Sequence, residues 1–130
     1  MKTKILFLSL ALMVAGCDKL SRLNQSAEPD QMTQALFKNL MAATGSNDYD
    51  GFIAHCNDSM KATLTKPMLE IVSQEIEVRA KEGYNAQYLG DLNQLGYKVH
   101  LWRLRFKYGG DDILAKLTVV NGKAGGFLLR

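Results

Sequence analysis

The stretch from Gly96 to Tyr108 constrains the fold more than any other part of the sequence. Aromatic and β-branched residues dominate it, and apolar residues alternate with basic ones, the pattern of a strand with one buried face. The alternation changes phase midway, which predicts a β-bulge near Leu101 and Trp102. One face of a bent sheet would then carry Tyr97, Val99, Leu101, Trp102, Leu104, Phe106 and Tyr108. The other face would carry Lys98, His100, Arg103, Arg105 and Lys107.

The two faces of this strand are candidate binding surfaces. We expect the basic row to be either a solvated outer face balanced by its neighbours or a contact surface for anionic lipid or acidic partners. The aromatic side belongs to the core or lines a pocket. The candidate pocket residues are Tyr97, Trp102 and Phe106 on this side, together with Tyr88 of the preceding strand.

Helices are predicted before this strand, because the apolar period there is close to four. Pro29 suits the first turn of a helix that runs up to Thr44. Two short helices are predicted around residues 52–56 and 60–64, and a longer helix, capped by Thr65, runs to Glu82.

The second half of the domain is predicted to be a β-meander. Strands are expected over residues 86–92, 113–120 and 123–130 in addition to the long strand, and Asn121-Gly122 is typical of a type I′ hairpin turn. Helices first and an antiparallel meander last predict an α+β fold, with the helices packed on one face of the sheet.

The first seventeen residues predict export. Lys2 and Lys4 precede the apolar run 5–14, which has the length of a signal-peptide core and is too short to span a bilayer as a helix. The run ends in Val14-Ala15-Gly16-Cys17, which resembles the lipobox of bacterial lipoproteins. The resemblance implies cleavage before Cys17 and attachment of diacylglycerol and fatty acids such as palmitate to this residue. The alternative is an ordinary secretory signal that happens to contain a cysteine.

The expected organisation is a signal peptide at 1–16, a lipidated cysteine and tether at 17–29 and one domain at 30–130. The formal net charge of +3 includes two lysines of the signal, which leaves about +1 for the mature chain. Export and low charge argue against nucleic acid as a partner. The expected location is the cell membrane on its periplasmic side. Asp18 resembles the residue that retains enterobacterial lipoproteins in the inner membrane.

The layout of the domain resembles the nuclear transport factor 2-like superfamily, a cystatin-like α+β cone. The resemblance rests on the order of the elements, the segment Asn47-Asp48-Tyr49-Asp50-x-Phe52, and the ending Asn121-Gly122-Lys123-Ala124-Gly125-Gly126-Phe127. It is closest to small bacterial secreted or lipid-anchored domains. It implies that the helices close one end of a curved sheet and leave a pocket. Some relatives are isomerases or dehydratases with an Asp-His or Tyr-Asp pair, and no such motif can be carried over to this chain.

No catalytic, cofactor or metal site is predicted from local motifs. Neighbouring side chains on a helix do not face each other, which argues against a dyad of His55 and Cys56. A metal site is not predicted either, because no pair among His55, Cys56, Asp58 and His100 has the spacing of a zinc motif. Asp48, Asp50 and Asp58 lack a calcium loop and are expected to be caps and turns. If Cys17 carries lipid, Cys56 is a buried thiol, a reactive thiol or half of an intermolecular disulfide.

Three functions remain open at this point. The favoured one is a non-enzymatic, membrane-tethered accessory lipoprotein of the cell envelope that binds a partner protein or a small ligand. The second is a small isomerase or hydrolase with acid–base groups among Tyr88, Asp91, Tyr97 and His100. The third is a structural homodimer through the outer sheet face. A cone filled by side chains would argue against the enzyme.

Overall fold

The computed structural model describes residues 28–130, so the predicted signal peptide, Cys17 and most of the tether lie outside the described part. The elements are α1 (Gln31–Gly45), α2 (Tyr49–Ile53), α3 (Asp58–Thr63), α4 (Lys66–Ala80), β1 (Tyr84–Gln94), β2 (Tyr97–Phe106), β3 (Ile113–Val120) and β4 (Lys123–Leu129). The strands are antiparallel and pair in sequence order. The predicted α+β fold, helices followed by a four-stranded meander, is confirmed.

Each helix begins at a residue whose side chain caps it. In all four, a side-chain oxygen accepts a hydrogen bond from the backbone N–H three residues on, and the capping residues are Asp30, Asp48, Asn57 and Thr65. Such a cap contributes about 1 kcal/mol to helix stability. The predicted cap at Thr65 is confirmed, and α4 ends at Ala80, two residues before the expected end.

The bulge in the β1–β2 pair lies in β1 and not in β2, and β3 and β4 also shift register between Thr118 and Val119. β2 pairs with β3 without interruption from Lys98 to Leu104, whereas β1 shifts register against β2 between Tyr88 and Gly90. Leu89 is therefore the extra residue, and Gly90 beside it has a φ of +124°, which glycine adopts without strain. The predicted bulge near Leu101 and Trp102 is wrong, because the phase change in the sequence reflects apolar residues on both faces of β2.

The regular β2 strand places its even-numbered residues on the side of the helices. Trp102, Leu104 and Phe106 are buried there, and His100 on the same side is only 5% exposed. The outward side carries Tyr97, Leu101, Arg103 and Arg105. The prediction that His100 faces outward is therefore wrong for the same reason as the bulge.

The space between the sheet and the helices is filled by side chains. Phe37 of α1 stacks on Trp102 of β2 with ring centroids 4.0 Å apart and planes 6° from parallel. Leu40, Leu104 and Leu117 around them have no exposed surface. Met32, in the first turn of α1, is 67% exposed. Within residues 28–130 no helix is long and apolar enough to cross a membrane.

Candidate functional site

A hydrogen-bonded tyrosine–histidine pair lies at the border of the core. The bulge at Leu89 brings Tyr88 and Asp91 onto the same face of β1, although their spacing of three would put them on opposite faces of a regular strand. Tyr88 stands opposite Trp102, and Asp91 stands opposite His100. The Oη of Tyr88 lies 2.8 Å from the Nδ1 of His100, and both residues are buried.

Acidic groups on two elements face this pair. Asp30, the cap of α1, accepts hydrogen bonds from the backbone N–H and the hydroxyl of Thr33, which lower the pKa of its carboxyl. Asp91 forms an exposed ion pair with Lys98 of 3.8 Å between Oδ2 and Nζ. These carboxylates surround the pair with negative charge on its solvent side.

Burial decides the protonation state of both members of the pair. It lowers the pKa of His100 from 6.5, helped by the charge of Lys98, and it outweighs Asp91 and Asp30, which favour the imidazolium. Burial also raises the pKa of Tyr88, and the nearby carboxylates raise it further. The hydrogen bond therefore joins a protonated phenol to a neutral imidazole at neutral pH.

A polar cavity of about 190 Å³ opens beside Tyr88 at the free side of β1. Its lining residues are Glu28, Gln34, Asn85, Ala86, Gln87, Tyr88 and Trp102. The Oε1 of Gln34 is buried and has no hydrogen-bond partner in the described part of the chain. His100 does not line this cavity, whereas its hydrogen-bond partner Tyr88 does. The imidazole therefore reaches the cavity only through the phenol.

The four predicted pocket residues do not form one pocket. Tyr88 and Trp102 are in contact, with ring centroids 5.2 Å apart in an edge-to-face arrangement. Phe106 lies in the core under the guanidinium of Arg79, 4.3 Å from its ring centroid. Tyr97 lies near the tip of the β1–β2 hairpin and is 49% exposed.

The predicted basic surface is divided between different parts of the domain. Arg103 and Arg105 lie on the outer face of the sheet, and their Nε atoms are 3.8 and 3.6 Å from the carboxylate of Asp112. Lys98 lies on the opposite side with Asp91, and Lys107 follows the end of β2, where its backbone N–H bonds to Gly83. With His100 buried, only the two arginines remain as the predicted outer contact surface.

The outer face contains a depression that local sequence patterns did not indicate. It has a volume of about 280 Å³ and is lined by Leu89, Arg103, Asp112, Ile113, Leu114 and Arg130. Three of these are apolar, and Leu89 and Leu114 are well exposed. The residues come from three strands and a loop, and the bulge supplies Leu89. Only the strand register, which the sequence did not predict, brings them together.

Cys56 is a buried thiol with no disulfide partner in residues 28–130. Its Sγ donates a hydrogen bond to the carbonyl of Phe52 at 3.4 Å, and burial raises its pKa to about 11 against the charges of Lys61 and Lys123. The thiol therefore stays protonated and poorly reactive at neutral pH. Within the described residues no group of three His, Cys, Asp or Glu side chains is placed to hold a metal ion.

Replacing His100 by asparagine is expected to make the domain less sensitive to acid. The folded chain binds a proton on this imidazole less readily than the unfolded chain does. The contribution of His100 to the free energy of unfolding is therefore present above about pH 6.5 and is lost as the pH falls below it. The limit for one proton is about 1.4 kcal/mol per pH unit. Asparagine has a polar atom near the position of Nδ1 and does not titrate.

The measurement is urea unfolding at about pH 7 and pH 5, across the usual range of histidine titration. The control is His55→Asn, which replaces the chain's other histidine, a partly exposed residue. Equal losses of stability on acidification in wild type and His100→Asn would contradict the assignment of a neutral, buried imidazole.

The arrangement as a whole pairs a closed interior with an open outer face. Tyr88 and His100 are hydrogen-bonded to each other, whereas the outer depression has apolar walls and basic groups. Neither a protein-family model nor a curated protein matches the chain. The function is therefore inferred from these two features and from the amino-terminal sequence.

Proposed function

We propose that the protein is a lipid-anchored, non-enzymatic accessory domain of the bacterial cell envelope that binds an acidic partner protein through the outer face of its sheet. The observation that carries this proposal is the apolar depression with arginines beside it on the outer side of the sheet. Phe37, Trp102 and the leucines around them fill the interior, while the outer side keeps an open depression of about 280 Å³. A partner protein can therefore reach this depression without any rearrangement of the core.

The depression suits an apolar side chain flanked by a carboxylate. Leu89, Ile113 and Leu114 supply apolar walls, and Arg103 and Arg130 stand beside them. The guanidinium of Arg103 donates a hydrogen bond to Oε1 of Gln87 and forms a long ion pair with Asp112. Both contacts are exposed and contribute little, so a partner's carboxylate can compete for this group. Arginine binds carboxylates with two parallel hydrogen bonds, which fixes the partner's orientation as well as its charge.

The same charges argue against a homodimer through this face. A two-fold dimer places a surface patch against its own copy. The patch has one acidic side chain, Asp112, and four basic ones, Arg103, Arg105, Lys116 and Arg130. In a homodimer this excess of positive charge would face an identical excess on the other copy. An acidic protein complements this surface better.

The amino-terminal sequence supports the anchored part of the proposal. The apolar run and the sequence Val14-Ala15-Gly16-Cys17 fit the lipobox of bacterial lipoproteins, and Asp18 favours retention in the inner membrane. Several acyl chains on one residue anchor stably, since each buried methylene contributes roughly 0.8 kcal/mol. A domain of this kind presents its outer face to periplasmic proteins.

Photo-crosslinking in intact cells tests the proposed contact. A photoreactive phenylalanine at position 89 is expected to capture a protein, and Arg103→Glu is expected to reduce the yield about tenfold, as for loss of one charged contact. Lys61→Glu changes the net charge equally on the exposed helix α3 and should leave the yield unchanged. The probe at Ile71, an exposed position on α4, should not give the same adduct.

An adduct that is insensitive to Arg103→Glu would overturn the acidic partner. An adduct of twice the mass of the chain would identify the homodimer instead. The absence of an adduct at position 89 in cells that fold and export the protein would remove the outer-face proposal.

The Tyr88–His100 pair favours a small isomerase or hydrolase as the second candidate. A neutral imidazole hydrogen-bonded to a phenol beside a polar cavity is a possible proton relay, with Tyr88 in contact with the substrate and His100 behind it. We rank it second because Trp102 closes the core side of this cavity. Hydrolysis of a p-nitrophenyl ester that is lost in His100→Asn and kept in His55→Asn would reverse the ranking.

A further inference from the structure

The domain contains two hairpin turns of the same type with very different residues. Asn121-Gly122 has φ values of 49° and 75°, and Leu95-Gly96 has φ values of 52° and 79°. Positive φ at both central residues is the mark of a type I′ turn. Asparagine adopts this left-handed conformation readily, whereas a leucine in it is an outlier that lowers stability.

The side chain of Leu95 makes no core contact that would offset this strain. It is 98% exposed, so it contributes nothing to the core. Leu92 and Tyr97 beside it in the same hairpin are 38% and 49% exposed. Leu92, Leu95 and Tyr97 together form the hairpin tip. A strained and exposed apolar residue at such a position indicates a contact made outside the folded domain.

The first turn of α1 lies at the same end of the sheet as the hairpin tip. In a meander, the β1–β2 and β3–β4 turns lie at one end of the sheet, and the β2–β3 turn lies at the other. The sulfur of Met32, in the first turn of α1, lies 3.6 Å from the position that a β-carbon of Gly122 would take. Asp30 is close enough to His100, four residues after Gly96, to influence its pKa.

The length of the preceding chain brings a bilayer within reach of this end. Cys17 is eleven residues before Glu28, and a chain of that length spans at most about 40 Å. A lipid attached to Cys17 therefore holds the domain close to the membrane. Glu28, where the described chain begins, lies beside the middle of β1, in the cavity with Ala86, Gln87 and Tyr88. A tether of this length therefore lets the end with the hairpin tip reach the bilayer, and the exposed apolar residues at that end favour it.

We propose that the hairpin tip inserts into the interface of the membrane that holds the lipid anchor. This inference rests on the lipid anchor of the proposed function. A leucine at the apex with a tyrosine beside it fits the boundary of a bilayer, where amphipathic aromatic rings are enriched. The nearby charges of Asp91 and Lys98 form an ion pair, so they add no net charge that would repel anionic lipid headgroups.

A lipid surface fits the tip better than a protein does. A narrow turn with three apolar side chains offers far less area than the roughly 800 Å² per partner of a stable protein interface. With the tip inserted, the strands stand away from the bilayer and the turn at 107–112 points toward the periplasm. The outer face of the sheet then remains open to a protein partner from the side.

The test places a fluorescent probe on the tip of the full-length protein. Leu95→Cys is labelled with an environment-sensitive nitrobenzoxadiazole dye in vesicles of phosphatidylethanolamine and phosphatidylglycerol. Cys56 does not interfere, because its thiol is buried and its pKa is raised. Tyr108→Cys, equally labelled, is the control, since Tyr108 is 64% exposed at the opposite end. Blue-shifted emission and quenching by nitroxide-labelled lipid are expected at position 95 and not at position 108.

A second variant separates insertion from folding. Leu95→Asn copies the residue of the other type I′ turn, so it should raise the unfolding temperature. Insertion in this variant is followed with the same dye on Tyr97→Cys. Compared with Tyr97→Cys alone, the double variant should show about a tenfold lower ratio of inserted to free tips, because the apolar side chain of Leu95 is missing. A tip whose quenching does not change with this substitution would contradict insertion through Leu95.

Further outcomes distinguish a failure of tip insertion from a failure of the lipid anchor. Equal quenching at positions 95 and 108 overturns the proposal. A dye that is protected from a water-soluble quencher and yet not quenched by nitroxide lipid shows that a protein covers the tip, which also overturns it. Fatty-acid labelling of the same samples reports on the anchor separately. If the label is absent, the anchor fails, and the tip inference then stands only if added protein still shows the blue shift on vesicles.

Discussion

Replacing Trp102 by alanine is expected to lower the free energy of unfolding by about 3 to 5 kcal/mol, the usual range for a large buried aromatic side chain. Trp102 is 1% exposed and stacks on Phe37, so its removal leaves a large cavity where sheet and helices meet. It also removes the ring that packs edge-on against Tyr88 and supports the Tyr88–His100 pair.

Thermal and urea unfolding measure this effect. A domain of this size loses roughly 4 to 8 °C in melting temperature for each kcal/mol. Tyr108→Ala is the matched control, because it removes an aromatic side chain that is 64% exposed, and its effect should stay within about 0.5 kcal/mol. A loss for Trp102→Ala no larger than that of Tyr108→Ala would show that the interior is not packed as described.

Replacing Cys17 by serine is expected to abolish lipid attachment completely. A hydroxyl does not replace the thiol on which diacylglycerol is transferred in bacterial lipoproteins. The precursor should therefore keep its signal peptide and incorporate no labelled fatty acid. Metabolic labelling with radioactive palmitate and the mobility of the chain on a gel measure both effects in one experiment.

The chain contains a natural control for this substitution. Cys56→Ser changes the only other cysteine. The serine hydroxyl can keep the hydrogen bond to the carbonyl of Phe52, so the domain should fold and the label should remain. Unchanged labelling in Cys17→Ser would refute the lipid anchor. Loss of labelling in Cys56→Ser alone would show that the lipid is attached elsewhere.

The architecture was predictable because its local signals agree with one another. The cap at Thr65 and the helical period after it gave α4, and Asn121-Gly122 gave the last hairpin at its observed place. These signals depend on neighbours in sequence. The order of helices and strands then sufficed for the α+β fold.

The candidate sites were less predictable because they depend on register between strands. An alternating pattern with a phase change is compatible either with a bulge or with a strand that is apolar on both faces. β2 is a regular strand with apolar residues on both faces. For this reason His100 faces Tyr88, whereas a bulge in β2 would have turned it toward water. The true bulge had only Gly90 as a signal. The outer depression and the hairpin tip also depend on the observed exposure of residues such as Leu89 and Leu95.

The bulge at Leu89 has a further consequence for proteins that share a membrane. β1 is an edge strand of eleven residues, long enough to serve as a template for a strand of another copy. Anchored copies would meet in two dimensions, where collisions between edges are frequent. The extra residue and Gly90 interrupt the straight row of N–H and carbonyl groups on this edge. We therefore expect the irregularity that aligns Tyr88 with His100 to hinder edge-to-edge pairing between copies as well.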